Sequence, residues 1–108
     1  MVRFPTDPQA ADAAKHAGDL AYTQKRWREA FIAYGFIYKN AIKSDLAPDA
    51  MLGMGNAMLE QDDLKADAPE VYQELIQKFP KSKAAGQART KLAELGIKVR
   101  KPQPSKKK

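Results

Sequence analysis

The sequence contains no cysteine and only one histidine, His16, which excludes several kinds of chemistry. Without cysteine the chain has no disulfide bond, thiolate metal ligand or cysteine nucleophile. A lone imidazole cannot build a common zinc site, and the acidic run at Asp62 and Asp63 lacks the central glycine of a helix–loop–helix calcium site. No serine has a nearby histidine–acid pair, and Gly53 and Gly55 lie in a predicted helix, where they allow close packing, rather than in a phosphate loop. We therefore predict no catalytic residue, metal or cofactor, and a protein that is not an enzyme.

The sequence also lacks a long apolar run. None of its segments is long and apolar enough to span a membrane, and its first residues lack the apolar core of a secretory signal. We therefore expect the chain to be cytoplasmic as it stands, or periplasmic in a bacterium if it is a mature domain. Its length of 108 residues predicts a single folded domain.

Charge is unevenly distributed along the chain. There are 19 basic and 13 acidic side chains, which give a net charge of +6. Six of the bases and none of the acids lie in residues 98–108, so the charges of the preceding residues balance. We predict an irregular lead-in over residues 1–7, a helical domain over residues 8–97 and a disordered basic tail over residues 98–108.

Apolar residues recur at helical spacing in five segments, which predicts an all-α fold. The predicted helices span approximately residues 8–24, 27–43, 48–61, 68–79 and 83–95. We expect Asp67 to cap the fourth helix, Ser82 to cap the fifth and Gly96 to end it. Ala17 and Leu95 are among the side chains predicted to face the core.

A helix-pair pattern occurs twice, with Gly18 and Gly55 at equivalent positions 37 residues apart. The matching positions are Ala17, Gly18, Trp27, Ala30 and Tyr34, then Met54, Gly55, Met58, Ala68, Tyr72 and Pro80. This pattern resembles the tetratricopeptide repeat, whose usual period is about 34 residues. The first copy departs from the family at Ile42, where the closing proline would stand.

The resemblance implies two helical hairpins and a C-terminal capping helix, stacked as a right-handed α-solenoid. An unrelated five-helix bundle is the alternative. The end of the chain carries Tyr72, the pair Phe79-Pro80, then Ser82 and alternating alanines. Over about residues 68–95 this sequence pattern is similar to that of bacterial envelope proteins of the family, such as the Tol–Pal-associated coordinator and the outer-membrane assembly lipoproteins.

In the tetratricopeptide family the first helix of each pair lines a groove that holds other proteins. The resemblance places six residues in that groove: Lys15, Asp19, Tyr22, Leu52, Asn56 and Leu59. A clamp for the C-terminal carboxylate of a chaperone is disfavoured, because Asp19 would repel the carboxylate and Gly53 replaces an asparagine of the clamp. We therefore expect a mixed apolar groove that binds a protein or peptide.

The resemblance implies a non-enzymatic interaction module or assembly adaptor with a peptide or helix in the groove. A small RNA-associated protein that uses the lysine-rich residues 98–108 is the alternative. Ile32 and Phe36 lie one turn apart on the second helix, outside its predicted inward stripe. Because an apolar patch marks an interface, we expect a homodimer or a stable hetero-complex through this helix, unless Val2 and Phe4 cover the pair.

Overall fold

Residues 8–100 fold into five α-helices, in agreement with the predicted all-α class. The computed structural model describes these residues, and no strand is present among them. The helices are α1 (Pro8–Thr23), α2 (Trp27–Asn40), α3 (Ala47–Leu59), α4 (Ala68–Lys78) and α5 (Lys83–Glu94), with a 3₁₀ turn at Lys65–Asp67. Within this range no helix combines the length and the apolar character needed to cross a bilayer. The predicted lead-in over residues 1–7 lies outside the described residues.

Helix α2 ends at Asn40, three residues earlier than predicted. Ala41 leaves the helical conformation with φ −141° and ψ 41°. The Ser44 amide then donates to the Ala41 carbonyl, and the Ala47 amide donates to the Ser44 carbonyl. The Ser44 hydroxyl accepts a hydrogen bond from the Leu46 amide at 3.0 Å. These local bonds offer the backbone an alternative to a further helical turn, so the chain reverses direction before α3.

The predictions about helix ends had different outcomes. Ser82 caps α5 as predicted, because its hydroxyl accepts a hydrogen bond from the Ala85 amide at 3.0 Å. Gly96 takes the left-handed conformation with φ +75°, and the Ile97 amide returns to a carbonyl of α5, which closes the helix. The prediction for Asp67 is wrong: its side chain caps no amide of α4. The 3₁₀ turn already holds the Asp67 backbone in a helical conformation, whereas a capping side chain needs an extended one.

Helix α3 is the centre of the molecule. It contacts α2 and α4, its neighbours in sequence, and also α1 and α5. Because the connections are short, consecutive helices pack as antiparallel neighbours. Helices α1, α3 and α5 therefore run in the same direction and form one layer, with α2 and α4 packed behind it.

Two residues predicted to face the core, Ala17 and Leu95, are exposed. Within α1 Ala21 is buried as predicted, together with Ala11 and Gly18. Helix α1 is the first described helix and has neighbours on one side only, so Ala17 faces away from them. Leu95 follows the last residue of α5 and is 40% exposed.

Two tyrosine rings join the layers through contacts with glycine backbone. Tyr34 of α2 lies between Gly18 of α1 and Gly53 of α3, and a Cβ atom on either glycine would lie 2.6 Å from a ring carbon. Tyr72 of α4 packs on Gly55 of α3 in the same way, with a corresponding distance of 2.7 Å. The glycines of α3 thus permit the close packing that was predicted for them.

The chain after α5 packs on α4. Gln73 is buried, and its side-chain amide donates to the Lys98 carbonyl and accepts from the Arg100 amide, both at 2.9 Å. The Arg100 guanidinium donates to both carboxylate oxygens of Glu70, at 2.8 and 2.9 Å, and holds the pKa of Glu70 below its ordinary value. Residues 98–100 therefore pack on the helical domain, although they were predicted to belong to the basic tail over residues 98–108. Residues 101–108 lie outside the described residues.

Candidate functional site

The six predicted groove residues divide between two helices, with three on α1 and three on α3. On each helix the three residues are spaced by four and then three positions, which places them on a common face. All six are exposed or half-buried: Lys15, Asp19 and Tyr22 on α1, and Leu52, Asn56 and Leu59 on α3. The side chains of this face are therefore available for contact.

Asp19 is the centre of the α1 part of the face. Its carboxylate accepts a hydrogen bond from the Tyr34 hydroxyl at 2.6 Å and another from the Lys15 ammonium at 3.0 Å. Partial burial acts to raise the pKa of Asp19, but the Tyr34 and Lys15 donors outweigh it and hold that pKa below its ordinary value. Burial and the bond to Asp19 raise the pKa of Tyr34 strongly, so its hydroxyl stays a donor. Asp19 is thus a charged group with both oxygens held in place.

Asn56 occupies the equivalent position in the α3 part of the face. Its Oδ1 atom accepts a hydrogen bond from the Tyr72 hydroxyl at 2.6 Å, which repeats the contact between Tyr34 and Asp19. Burial raises the pKa of Tyr72 strongly, so this hydroxyl also stays protonated. Within residues 8–100 the Nδ2 group of Asn56 makes no hydrogen bond, so its two N–H donors are available to a ligand.

Tyr22 and Leu59 contribute apolar surface to the same face. The Tyr22 ring packs edge to face against Trp27, with ring centroids 5.0 Å apart and an interplanar angle of 70°. Burial and the nearby Glu60 carboxylate raise the pKa of Tyr22. Leu59 is half-buried against the core. The face therefore combines apolar surface with positioned polar groups.

A cleft of about 260 Å³ opens where α3 and α5 meet. Leu52 and Asn56 form its wall on α3. The wall on α5 consists of Gln87, Thr90, Lys91 and Glu94. Helix α5 was predicted to be a capping helix, but part of its polar side lines the cleft. The face thus extends over three helices.

The α5 part of the face was missed by the sequence reasoning, although its spacing is visible in the sequence. Gln87, Lys91 and Glu94 repeat the spacing of four and then three positions seen on α1 and α3. A polar side is also expected on the last helix of a repeat array, because solvent covers it. The spacing alone therefore could not show whether this side belongs to the candidate face or is only exposed to solvent. The hydroxyl bonds of Tyr34 and Tyr72 to this face were missed as well, because they join separate helices.

A larger cleft of about 830 Å³ lies between the start of α1 and the connection from α2 to α3. Ala11 and Asp12 line it on one side, and residues 39–46 line it on the other. None of the six predicted groove residues lines this cleft. Its size alone therefore does not make it the better candidate, and the positioned polar groups favour the face on α1, α3 and α5.

The predicted oligomer face on α2 is only partly exposed. Ile32 is 62% exposed, whereas Phe36 is half-buried against the core. The free apolar surface is therefore smaller than the sequence pattern indicates. Association through Ile32 and Phe36 stays a prediction.

The substitution Asp19→Asn is expected to preserve the fold and to reduce the loss of stability in acid. An asparagine oxygen can accept the Tyr34 hydroxyl, as Asn56 does for Tyr72. Because the folded-state pKa of Asp19 lies below its unfolded value near 3.8, this group stabilises the wild type above that value. The stabilisation is lost as the pH falls through the folded-state pKa, and the variant lacks this contribution. Urea denaturation at about pH 7 and about pH 3 measures the difference, and equal losses in both proteins would contradict the prediction.

Comparisons of the chain with protein-family models, with curated proteins and with solved structures gave no match. Among residues 8–100 no three histidine, aspartate or glutamate side chains are grouped so that they could hold a metal ion. The groups that the site presents are hydrogen-bond donors, carboxylates and apolar surface. This arrangement suits recognition of another molecule.

Proposed function

We propose that this chain is a tetratricopeptide-like interaction module, without catalytic activity, that holds a peptide or a helix on the face of α1, α3 and α5. The observation that carries the proposal is the cleft in which Leu52 and Asn56 meet the polar side of α5. The recurrence of one spacing on three parallel helices supports it. That recurrence comprises Lys15, Asp19 and Tyr22, then Leu52, Asn56 and Leu59, then Gln87, Lys91 and Glu94.

A duplicated contact supports the assignment to a repeat. In the first hairpin Tyr34 packs on Gly18 and donates to Asp19. In the second hairpin Tyr72 packs on Gly55 and donates to the residue that follows it. We do not expect an unrelated bundle to repeat the same contact in both of its hairpins. In this proposal α1 and α3 are the first helices of two repeats, α5 is the cap, and the stack is a right-handed α-solenoid.

The same contacts explain how the face would bind. The hydroxyls of Tyr34 and Tyr72 hold the polar side chains of the face in place, so little side-chain freedom is lost when a ligand binds. The Nδ2 group of Asn56 can donate to a peptide carbonyl, and Leu52 offers apolar contact beside it. The ligand is thus held by a rigid polar frame around an apolar patch.

The proposal is tested by selecting binders from a random peptide library on the full chain and then blocking the cleft. Leu52→Arg combined with Thr90→Arg places two long side chains between α3 and α5. Gln24→Arg combined with Ala93→Arg adds the same charge at exposed positions that do not line the cleft. We expect the selected peptides to bind the blocked variant about tenfold more weakly, or worse, and the control variant unchanged.

Circular dichroism shows whether both double variants keep the helical content of the wild type. Peptides that bind the blocked and the control variants equally well would refute the proposed face. A library that yields no binder at all would refute the proposed function.

A further inference from the structure

Charge separates the α1, α3 and α5 face from the rest of the folded chain. By helical position the face carries three bases, Lys15, Lys83 and Lys91, and five acids: Asp12, Asp19, Asp49, Glu60 and Glu94. The remainder of residues 8–100 carries eleven bases and seven acids. The face therefore has a net charge of −2, although the whole chain has a net charge of +6. Because charges beyond about 8 Å are largely screened at physiological salt, a ligand on the face responds to the local charge.

Two of the three bases of the face are already paired with acids of the same face. Lys15 lies 3.0 Å from Asp19, and Lys91 lies 3.7 Å from Glu94. The other three acids are exposed and form no ion pair within residues 8–100: Asp12, which also lines the larger cleft, Asp49 and Glu60. Within the described residues the three unpaired acids thus outnumber one unpaired base of the face, Lys83, so its unpaired charge is net negative.

The unpaired acids lie toward opposite ends of the face. Asp12 precedes Lys15 by one turn of α1, and Asp49 precedes Leu52 by one turn of α3. Both acids therefore lie toward the N-terminal ends of two parallel helices. Glu60 follows the last residue of α3. The eleven residues from Asp49 to Glu60 correspond to about 16 Å of helix at 1.5 Å per residue. An extended peptide covers that distance in about five residues.

We infer that the ligand of this face is an extended basic segment, with lysine or arginine at two positions about five residues apart. Its basic groups meet Asp12 and Asp49 at one end of the face and Glu60 at the other. An apolar side chain between them enters the cleft beside Leu52, and Asn56 donates to the peptide backbone. This inference rests on the proposed function and names the chemical class of its ligand.

The test uses the full chain and three random peptide libraries, in which two positions five residues apart are fixed as lysine, as glutamine or as glutamate. We expect the lysine library to yield the tightest binders, by about tenfold, because ion pairs form only with that library. Their affinity should fall when the salt concentration rises from about 50 mM to about 500 mM, since salt screens exposed charges.

A neutralised face provides the matched comparison. The triple variant Asp12→Asn, Asp49→Asn, Glu60→Gln removes three negative charges from the face. The control triple variant Glu29→Gln, Asp45→Asn, Asp67→Asn removes three from exposed positions elsewhere. The lysine-containing binders should lose about tenfold in affinity for the first variant and keep it for the second.

The outcomes distinguish this inference from the proposed function. If the glutamine or glutamate library gives equal or tighter binders that the Leu52→Arg, Thr90→Arg variant no longer binds, the basic ligand is overturned and the proposed function stands. If lysine-containing binders are retained by the neutralised and the blocked variants alike, they bind elsewhere and both ideas are overturned. If none of the libraries yields a binder, both are overturned as well.

Discussion

Gly18→Ala and Gly55→Ala are each expected to lower the free energy of unfolding by about 1–3 kcal/mol, the usual cost of forcing extra atoms into a packed core. The new methyl carbon would lie 2.6 Å from a Tyr34 ring carbon in the first variant and 2.7 Å from a Tyr72 ring carbon in the second. Tyr34 cannot move away from Gly18, because the other edge of its ring rests on Gly53. The better helix propensity of alanine, worth about 1 kcal/mol, reduces this cost but does not reverse it.

Gly86→Ala is the matched control, since it makes the same change within a helix. Gly86 is exposed on α5, and an added Cβ atom there meets nothing within 4 Å. We expect this variant to gain about 0.5–1 kcal/mol, because only the propensity difference acts. Urea denaturation followed by circular dichroism measures all three variants. Gly18→Ala and Gly55→Ala proteins as stable as Gly86→Ala would show that the tyrosine rings are not confined.

Tyr72→Ala is expected to cost about 3–5 kcal/mol, the range for removing a large buried side chain. The Tyr72 side chain is fully buried, packs on Gly55 and holds Asn56 in the face. Glycine has no side chain with which to fill the resulting cavity, so the loss is not compensated from α3. Because small domains are stable by about 5–15 kcal/mol in total, the variant should be close to unfolding at room temperature.

Tyr72→Phe separates the ring from its hydroxyl. It keeps the ring on Gly55 and removes only the hydrogen bond to Asn56, which is worth about 0.5–1.5 kcal/mol. Thermal and urea unfolding of the two Tyr72 variants should therefore differ by several-fold in their loss of stability. Similar losses in the two variants would mean that the hydroxyl bond, rather than the ring, dominates the contribution of Tyr72.

The helix ends show where sequence reasoning succeeded and where it did not. The Ser82 cap and the Gly96 terminus were predicted correctly, because each depends on atoms within a few residues of the same chain segment. The end of α2 was misplaced by three residues, because the hydroxyl of Ser44 stabilises a turn that competes with the helix. Asp67 was assigned as a cap from its residue type, but the preceding 3₁₀ turn removes the backbone conformation that a cap needs.

The candidate site, like the helix ends, could be predicted from the sequence only in part. Helical periodicity predicts that Lys15 and Asp19 share a side of α1 and that Leu52 and Asn56 share a side of α3, because side chains three or four positions apart lie on one face. Periodicity within a helix carries no information about which other helix comes to lie beside it. The cleft wall on α5 therefore emerged only from the packed structure.

The five helices, the absence of cysteine chemistry and the two glycine–tyrosine repeats could be predicted from residue identity and short-range spacing. Three features became visible only in the packed chain: Tyr34 and Tyr72 donate to Asp19 and Asn56, Gln73 holds residues 98–100 on α4, and α3 and α5 line a cleft. Each of these contacts joins residues at least 15 positions apart. Such contacts form because the helices bury a shared core, and the geometry of that core depends on all of the helices together.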